Sequence, residues 1–254
     1  MTVKLFDLEH ITAIADAIRA KTGEGGLMTV QQMPAAIAAI AAGGGETVWK
    51  ECWLEKPPDA PAALGIDTGI AANFDGRLTV KCRTTIGFMS APFIAAESSG
   101  DRYGVNFLPS GNKLQIFWGA YNNTNVTVDR TTFDFTNIIE YTMDKNGLSM
   151  TGFKSSGVAA THEVTYSASA SGGAEPTFKL FTYARNADIN KGIFRKAQIY
   201  EGGDTPAYTV VPEVSSSFTA RLKITDHMGA GGEEVRYVPV PAGFICHVDN
   251  EAAA

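Results

Sequence analysis

Hydrophobic residues follow two different periods along this chain of 254 residues. From residue 1 to about 42 they recur every three or four positions, as on one face of a helix. From residue 47 to 212, short runs alternate apolar with polar residues, as in a strand that buries one face. The pattern predicts a helical N-terminal segment, a glycine-rich linker at 43–46 and a β domain.

The N-terminal segment, residues 1–42, predicts two short helices that form a hairpin. Gly23 would end the first, and Thr29–Gln32 matches a capping box for the second. Pro34 leaves two starts open, a 3₁₀ turn at 29–33 or a helix beginning at Pro34 itself. Helices this short are marginal in water unless they pack on something else. The hairpin is therefore expected to dock on its own chain, on sister chains or on a larger assembly, and to bury four isoleucines: Ile11, Ile18, Ile37 and Ile40.

The central segment, residues 47–212, predicts an antiparallel β-sandwich. Alternation is clearest in Arg77–Arg83 and Lys113–Trp118, and turn sequences such as Asp75-Gly76 and Asn146-Gly147 separate the runs. The alternation places on buried faces Leu78, Val80 and Cys82 in the first run, and Leu114, Ile116 and Trp118 in the second. About ten strands without intervening helices predict a mainly β protein built of two packed antiparallel sheets.

The last segment, residues 213–254, predicts a small β appendage. Three serines at 215–217 are typical of a linker between the sandwich and this segment. One strand is predicted from Phe218 to Ile224 and a second from Glu234 to Val240, after a glycine-rich loop. A piece of about 40 residues lies at the lower size limit for independent folding. It is therefore expected to lean on the sandwich or on neighbouring chains.

Composition limits the classes of partner. The chain has 21 basic and 27 acidic residues, a net charge of −6, which argues against a general electrostatic grip on nucleic acid or on an anionic membrane. No secretory signal peptide is visible, and the longest apolar run, Ala35–Ala42, is too short to span a bilayer. Three widely spaced cysteines fit neither a disulfide framework nor a zinc site, so they are expected to stay reduced.

The common catalytic motifs do not occur in the sequence, which has no Gly-x-Ser-x-Gly elbow, phosphate-binding loop or His-Glu-x-x-His motif. The nearest pair of glycosidase-type carboxylates is Glu51 and Glu55, but Pro57-Pro58 ends their strand directly afterwards. Asp188-Ile189-Asn190 begins like a calcium loop, yet position twelve is Ile199 where glutamate is needed. We therefore predict no enzyme, no metal ligand and no cofactor, while a structural calcium held by carbonyls elsewhere stays open.

The N-terminal segment resembles a short module common in tail and appendage proteins of phages and prophages. The resemblance lies in the pattern I-A-D-A-I-R-x-K-T-G at residues 14–23 and M-T-x-x-x-M-P-x-x-I at residues 28–37. It implies a virion structural protein assembled in the bacterial cytoplasm. It also implies that the helices anchor the chain to other tail proteins and hold it in a homo-oligomer, as the trimers of phage fibres are held.

The central segment resembles a concanavalin A-like, laminin-G-type jelly roll that often follows this module. The matching stretches are Ile66–Ile70, Glu140–Gly147, Leu180–Asn186 and Lys196–Gly203. The chain departs from the family pattern after Tyr208–Pro212, where the 213–254 appendage replaces the usual closing segment. The resemblance implies a jelly-roll sandwich over residues 47–212.

Two stretches have the composition of a sugar-binding loop, in which aromatic faces stack on a sugar ring and amide or charged groups bind its hydroxyls. They are Gly119–Asn125 and Arg185–Asn190. The candidate glycan-binding residues are Tyr121, Asn122, Asn123, Asn125, Arg185 and Asn186. The sequence hypothesis is thus a virion adhesin for a host or mucosal glycan. Two alternatives stay open: an architectural or decoration protein without a ligand, and a glycan-cleaving appendage.

Overall fold

The computed structural model describes residues 15–16, 47–61, 63–84, 89–96, 101–170, 173, 175–181 and 192–248. Of the N-terminal segment it covers Ala15 and Asp16, both in helical conformation. The rest of the predicted hairpin, with Ile11, Ile18, Ile37 and Ile40, lies outside the described residues, as does the predicted linker at 43–46.

Sixteen strands and a 3₁₀ turn form the regular structure that is described from residue 47 onward. In chain order the strands are β1 (Trp49–Lys56), β2 (Ile66–Ala71), β3 (Arg77–Arg83), β4 (Phe93–Ala96), β5 (Arg102–Leu108), β6 (Lys113–Gly119), β7 (Tyr121–Thr127), β8 (Ile138–Met143), β9 (Gly147–Phe153), β10 (Ala159–Thr165), β11 (Thr177–Leu180), β12 (Gly192–Tyr200), β13 (Tyr208–Ser215), β14 (Ala220–Asp226), β15 (Glu234–Pro239) and β16 (Ile245–Val248); the 3₁₀ turn is Pro109–Gly111. Among the described residues there is no helix of the length and hydrophobicity needed to cross a bilayer.

The strands form two sheets, and within each sheet neighbouring strands pair antiparallel. The larger sheet has ten strands in the order β10-β9-β8-β3-β12-β1-β13-β14-β15, with β16 added beside β1. The smaller sheet has six strands in the order β2-β11-β4-β5-β6-β7. The prediction of a mainly β protein with two antiparallel sheets is therefore confirmed.

The hydrophobic core lies between the two sheets. Phe93 of the smaller sheet stacks on Phe194 of the larger one with ring centroids 5.4 Å apart, and Phe107 lies 5.7 Å from Tyr141 across the same layer. Each large apolar side chain buried here contributes about 1.5–3 kcal/mol relative to an exposed one. This layer is therefore the main source of stability.

Alternation of buried and exposed residues holds in β3 and breaks in β6. Every second residue of β3 is fully buried, as predicted from the sequence. In β6 the predicted residues Ile116 and Trp118 are buried, but so is Phe117 between them. Phe117 belongs to a small apolar cluster on the other face of the smaller sheet, whose members are Ala91, Ile94, Ala96 and Phe117. Part of that outer face is thus covered, which a single strand's pattern does not reveal.

Residues 213–248 continue the larger sheet. β13 runs through to Ser215 and passes the predicted division after residue 212 without a break. β14 and β15 extend the sheet beyond it, and β16 pairs with β1. Arg236 of β15 also donates a hydrogen bond to the Thr68 carbonyl of β2 in the opposite sheet. This C-terminal stretch is therefore attached to both layers of the sandwich.

Candidate functional site

The predicted sugar-binding stretch Gly119–Asn125 is mostly strand, not a loop. From Tyr121 onward it forms β7, the outermost strand of the smaller sheet, which pairs with β6. Gly119 makes the turn between these strands at φ +57°, and a Cβ there would lie 2.6 Å from the Ser169 carbonyl oxygen. Asparagine and threonine favour turns locally, but pairing with β6 and packing of Val126 against the core override that preference.

Tyr121 stacks on Tyr166, the residue after β10, at the rim of the sandwich. Their ring centroids are 4.6 Å apart and the planes differ by 14°. Tyr166 is buried and donates a hydrogen bond of 2.7 Å from Oη to the Asp144 carbonyl. Burial raises the pKa of Tyr166, and the nearby Asp144 and Tyr121 add to the increase. The pair is thus held in one orientation, with one face of the Tyr121 ring occupied by its own chain.

One asparagine of β7 makes hydrogen bonds within the chain, and two others are exposed to solvent. The Asn123 side chain donates from Nδ2 to Tyr121 Oη at 3.1 Å and accepts the Asn125 backbone N–H at 3.0 Å. The residues themselves show the same division: Asn123 is half-buried, whereas Asn122 and Asn125 are exposed. Asn123 therefore positions Tyr121, and the outer side chains are the ones available to a ligand.

A short segment after β10 fastens the turn between β8 and β9 to the turn before β7. The N–H of Tyr166 donates to the Asn146 carbonyl at 3.0 Å, and the N–H of Ala168 donates to the Lys145 carbonyl at 2.9 Å. The N–H of Ala120 in turn donates to the Ser169 carbonyl at 2.9 Å. These bonds bring one end of β7 next to the β8–β9 turn, although the two belong to different sheets.

Charged groups around this rim are mainly acidic. Lys145 forms a 2.6 Å ion pair with Asp75, and Glu175 accepts the Phe74 backbone N–H at 3.0 Å. The Phe74 carbonyl accepts the indole N–H of Trp118 at 2.9 Å, and Trp118 is 1% exposed. Trp118 is therefore a core residue, as the sequence predicted, and the one lysine of this set is already neutralised by Asp75.

A cleft of about 290 Å³, open to solvent, lies on the outward face of the larger sheet, across the β8–β9 turn from Tyr166. Three neighbouring strands supply four of its polar side chains, one from β8, one from β9 and two from β10, and the β8–β9 turn supplies Asp144 and Asn146. Its lining residues are Thr142, Met143, Asp144, Asn146, Gly147, Leu148, Ser149, Glu163, Val164 and Thr165. The cleft was not predicted from the sequence, because it depends on the register between β8, β9 and β10 and not on the alternation within any one strand.

Arg185 and Asn186, the remaining predicted glycan-binding residues, lie outside the described residues, as does Asp188-Ile189-Asn190. Within the described ranges, no three histidine, cysteine, aspartate or glutamate side chains come together in a way that could hold a metal ion. The structure places four of the predicted residues on one strand: Tyr121, Asn122, Asn123 and Asn125.

Comparison with known proteins gives no family: the chain matches no model of a known protein family and no curated protein. A function is therefore argued from the residues and the geometry. Two further groups of side chains on the larger sheet bear on that argument.

Glu51 and Glu55, the nearest imitation of a glycosidase pair, are each engaged by a basic side chain. Glu51 accepts from Arg195 at 3.0 Å, and Glu55 accepts from His247 Nε2 at 2.6 Å. His247 comes from β16, which pairs with β1 in the larger sheet. These contacts give both carboxylates a structural explanation, an ion pair for Glu51 and a hydrogen bond for Glu55, each to a neighbouring strand.

An aromatic and charged cluster at the other corner of the larger sheet was also missed by the sequence analysis. The Arg221 guanidinium lies between two rings, with its carbon 3.5 Å from the Trp49 centroid and 3.6 Å from the Tyr237 centroid. It also donates to Glu213 Oε2 from Nη2 at 2.9 Å and from Nε at 3.0 Å. Three of these residues come from the sequential strands β13, β14 and β15, and Trp49 comes from β1 far earlier in the chain, so only a signal about strand register would have brought the four together.

Proposed function

We propose that this chain is a structural protein of a phage or prophage virion appendage, assembled in the bacterial cytoplasm, whose sandwich is a jelly roll that binds a host or mucosal glycan. The N-terminal sequence pattern supports the virion part of the proposal, and the two-sheet sandwich is compatible with a jelly roll. One observation carries the glycan part: the ring of Tyr121, held against Tyr166, and the exposed Asn122 and Asn125 all belong to β7, the edge strand of the smaller sheet.

The chemistry of this edge suits weak recognition of a sugar. Tyr121 and Asn122 are consecutive strand residues, so their side chains point to opposite faces of β7. The accessible part of the Tyr121 ring would contact the C–H face of a sugar at this edge, while the asparagine amides would bind hydroxyls from the outer side. A site of this size is expected to bind one sugar with an affinity on the order of millimolar to tens of micromolar. Many copies on one particle would raise avidity by about 10²–10⁴.

In this proposal, assembly of the chain into an oligomer on the particle supplies the many copies of the binding site. The predicted N-terminal helices would join chains into a homo-oligomer, a trimer by resemblance to phage fibres, and would attach it to other tail proteins. Light scattering of the full chain is expected to give the mass of three chains. A monomer at micromolar concentration would contradict this part of the proposal.

Binding of the full chain to bacterial envelope polysaccharides and to mucin tests the glycan part. We expect Tyr121→Ala to reduce binding about tenfold, because the ring contact is lost. The control is Tyr237→Ala, which removes a half-exposed tyrosine from the other sheet and should leave binding unchanged. Equal binding by both variants would remove this edge from consideration.

The second candidate function is an architectural or decoration protein that binds no ligand. It is favoured by the internal use of Asn123 and by the Tyr166 ring that covers one face of Tyr121. Failure of the intact oligomer to bind any envelope polysaccharide or mucin would support it. A glycan-cleaving appendage is the third candidate, and release of soluble fragments from those polysaccharides would reveal it.

A further inference from the structure

The cleft on the outward face of the larger sheet is built from a polar row that crosses four strands. Strand register places Thr79 opposite Thr142, Thr142 opposite Ser149, and Ser149 opposite Glu163. Directly opposed residues point to the same side of a sheet. The residues on the other side of these strands belong to the core, so the row faces solvent. The cleft occupies the end of this row nearest β10.

The cleft differs from β7 in that four of its six polar side chains make no hydrogen bond or ion pair within the described residues. Thr142 and Thr79 share a hydrogen bond of 2.9 Å between hydroxyls. Four further polar side chains of the cleft make no hydrogen bond or ion pair among the described residues: Asn146, Ser149, Glu163 and Thr165. Asp144 itself accepts the backbone N–H groups of the turn, at 2.7 Å from Asn146 and 3.2 Å from Gly147.

These unengaged groups are two hydroxyls, one amide and one carboxylate within a single shallow cleft. Adjacent hydroxyls of a sugar match such a set, because each can donate to a carboxylate and accept from an amide or hydroxyl. Glu163 and Asp144 carry negative charge, and Lys145 on the same turn is paired with Asp75. An anionic ligand would therefore meet repulsion without a compensating cation.

We propose that this cleft binds one neutral sugar unit, with Glu163 accepting hydrogen bonds from its hydroxyls. The inference rests on the proposed glycan-binding function, but it places the contact on the larger sheet, apart from Tyr121. It also defines the ligand class: neutral, hydroxyl-rich sugars bind, and sugars bearing a carboxylate do not.

Ligand-observed saturation-transfer NMR with the full chain tests the proposal. The probes are glucose, galactose and N-acetylglucosamine as neutral sugars, and glucuronate and N-acetylneuraminate as anionic ones. We expect millimolar binding of at least one neutral sugar and none of the anionic pair. Glu163→Gln should weaken that binding about tenfold, as expected for a lost charged hydrogen bond. Ser149→Ala provides a second variant in the same cleft and should weaken it less.

The matched control is Glu140→Gln, which makes the same change on the outward face of β8, outside the cleft. It should leave binding unchanged, and thermal melting should show all three variants folded. Equal binding of glucuronate and glucose would overturn the assignment of ligand class. If wild-type protein binds polysaccharide but neither cleft variant weakens it, this inference fails and the proposed function stands. If neither polysaccharide nor any of the five sugars binds, both fail.

Discussion

The two ends of the larger sheet differ in whether their polar side chains contact one another. At the corner formed by β1, β13, β14 and β15, Arg221 fills the space between two aromatic rings, and Glu213 accepts two of its donors. At the cleft over β8, β9 and β10, Ser149 and Glu163 have no such contacts within the described part of the chain. Polar groups that satisfy one another stabilise a fold, whereas exposed polar groups gathered in a cleft without partners are available to a ligand.

The largest effect is expected at the Arg221 corner. Arg221→Met removes the guanidinium from between Trp49 and Tyr237 and leaves the largely buried carboxylate of Glu213 without its cation. We expect a loss of about 2–3 kcal/mol in the free energy of unfolding, somewhat below the cost of breaking a fully buried pair. Chemical denaturation measures it.

The control for that prediction is Arg77→Met on the same sheet. Arg77 also lies over a ring, 4.2 Å from the Tyr200 centroid, but its acidic partner Asp204 is fully exposed. Exposed pairs contribute little, so the change in stability should be small. Equal losses in the two variants would show that burial of Glu213 is not what distinguishes the corner. Neither variant should alter sugar binding.

The next effect has the opposite sign and concerns a polar group that is buried without a partner. The Tyr141 hydroxyl lies in the core, and no hydrogen bond to it is made within the described residues. Tyr141→Phe should therefore stabilise the protein, by about 1 kcal/mol, because an unsatisfied buried hydroxyl is lost while the ring packing stays. A rise in the denaturation midpoint would support this. A fall would mean that the hydroxyl has a partner in the folded protein.

A smaller effect is expected on β7. Asn123→Ala removes the bonds to Tyr121 Oη and to the Asn125 N–H at a half-buried position. We expect about 0.5–1 kcal/mol of destabilisation. If Asn123 only positions Tyr121, polysaccharide binding should fall less than in Tyr121→Ala. A larger fall would instead make Asn123 a direct ligand contact and would bring β7 closer in character to the cleft.

The smallest effect concerns pH. Burial lowers the pKa of His162 on β10, and its Nε2 is buried without a partner among the described residues. The unfolded chain therefore binds a proton more readily than the folded one. This contribution to stability is complete above the ordinary pKa of about 6.5 and is lost as the pH falls through the folded pKa.

Thermal melting between pH 7 and pH 5 measures that contribution. His162→Gln should make the decline in melting temperature shallower. His227→Gln is the control, because His227 is paired with Glu233 at 3.1 Å. A decline in His162→Gln as steep as in the wild type would show that protonation of this residue does not act on β10, the edge strand that lines the cleft.

The fold class followed from local patterns in the sequence. The run Arg77–Arg83 forms β3 with the predicted buried face. Asp75-Gly76 lies in the connection that crosses from β2 in the smaller sheet to β3 in the larger one, and Asn146-Gly147 lies at the β8–β9 hairpin. Glu234–Val240 was predicted as a strand and contains β15. These predictions succeed because a strand with one buried face alternates apolar and polar residues, and consecutive residues of the sequence show that alternation directly.

Local composition does not show where pairing with a neighbouring strand decides the conformation. The Asn-rich stretch after Gly119 was predicted as a loop, yet it pairs with β6 as an edge strand. Residues after 212 were predicted as a small β appendage with two strands, leaning on the sandwich or on neighbouring chains; β13 runs through that point, and β14 and β15 extend the larger sheet. In both places, hydrogen bonds to a neighbouring strand outweigh the local preferences of asparagine, serine and glycine.

The sequence by itself therefore determined which residues form strands with a buried face, and hence the two-sheet class. The tertiary structure alone decided which strands are neighbours and in what register. The Arg221 corner draws residues from four strands, and the cleft draws them from β8, β9, β10 and one turn. Both depend on the register between neighbouring strands, sequential strands in the cleft and sequential strands plus the distant β1 at the corner, and a single strand's alternation does not specify that register.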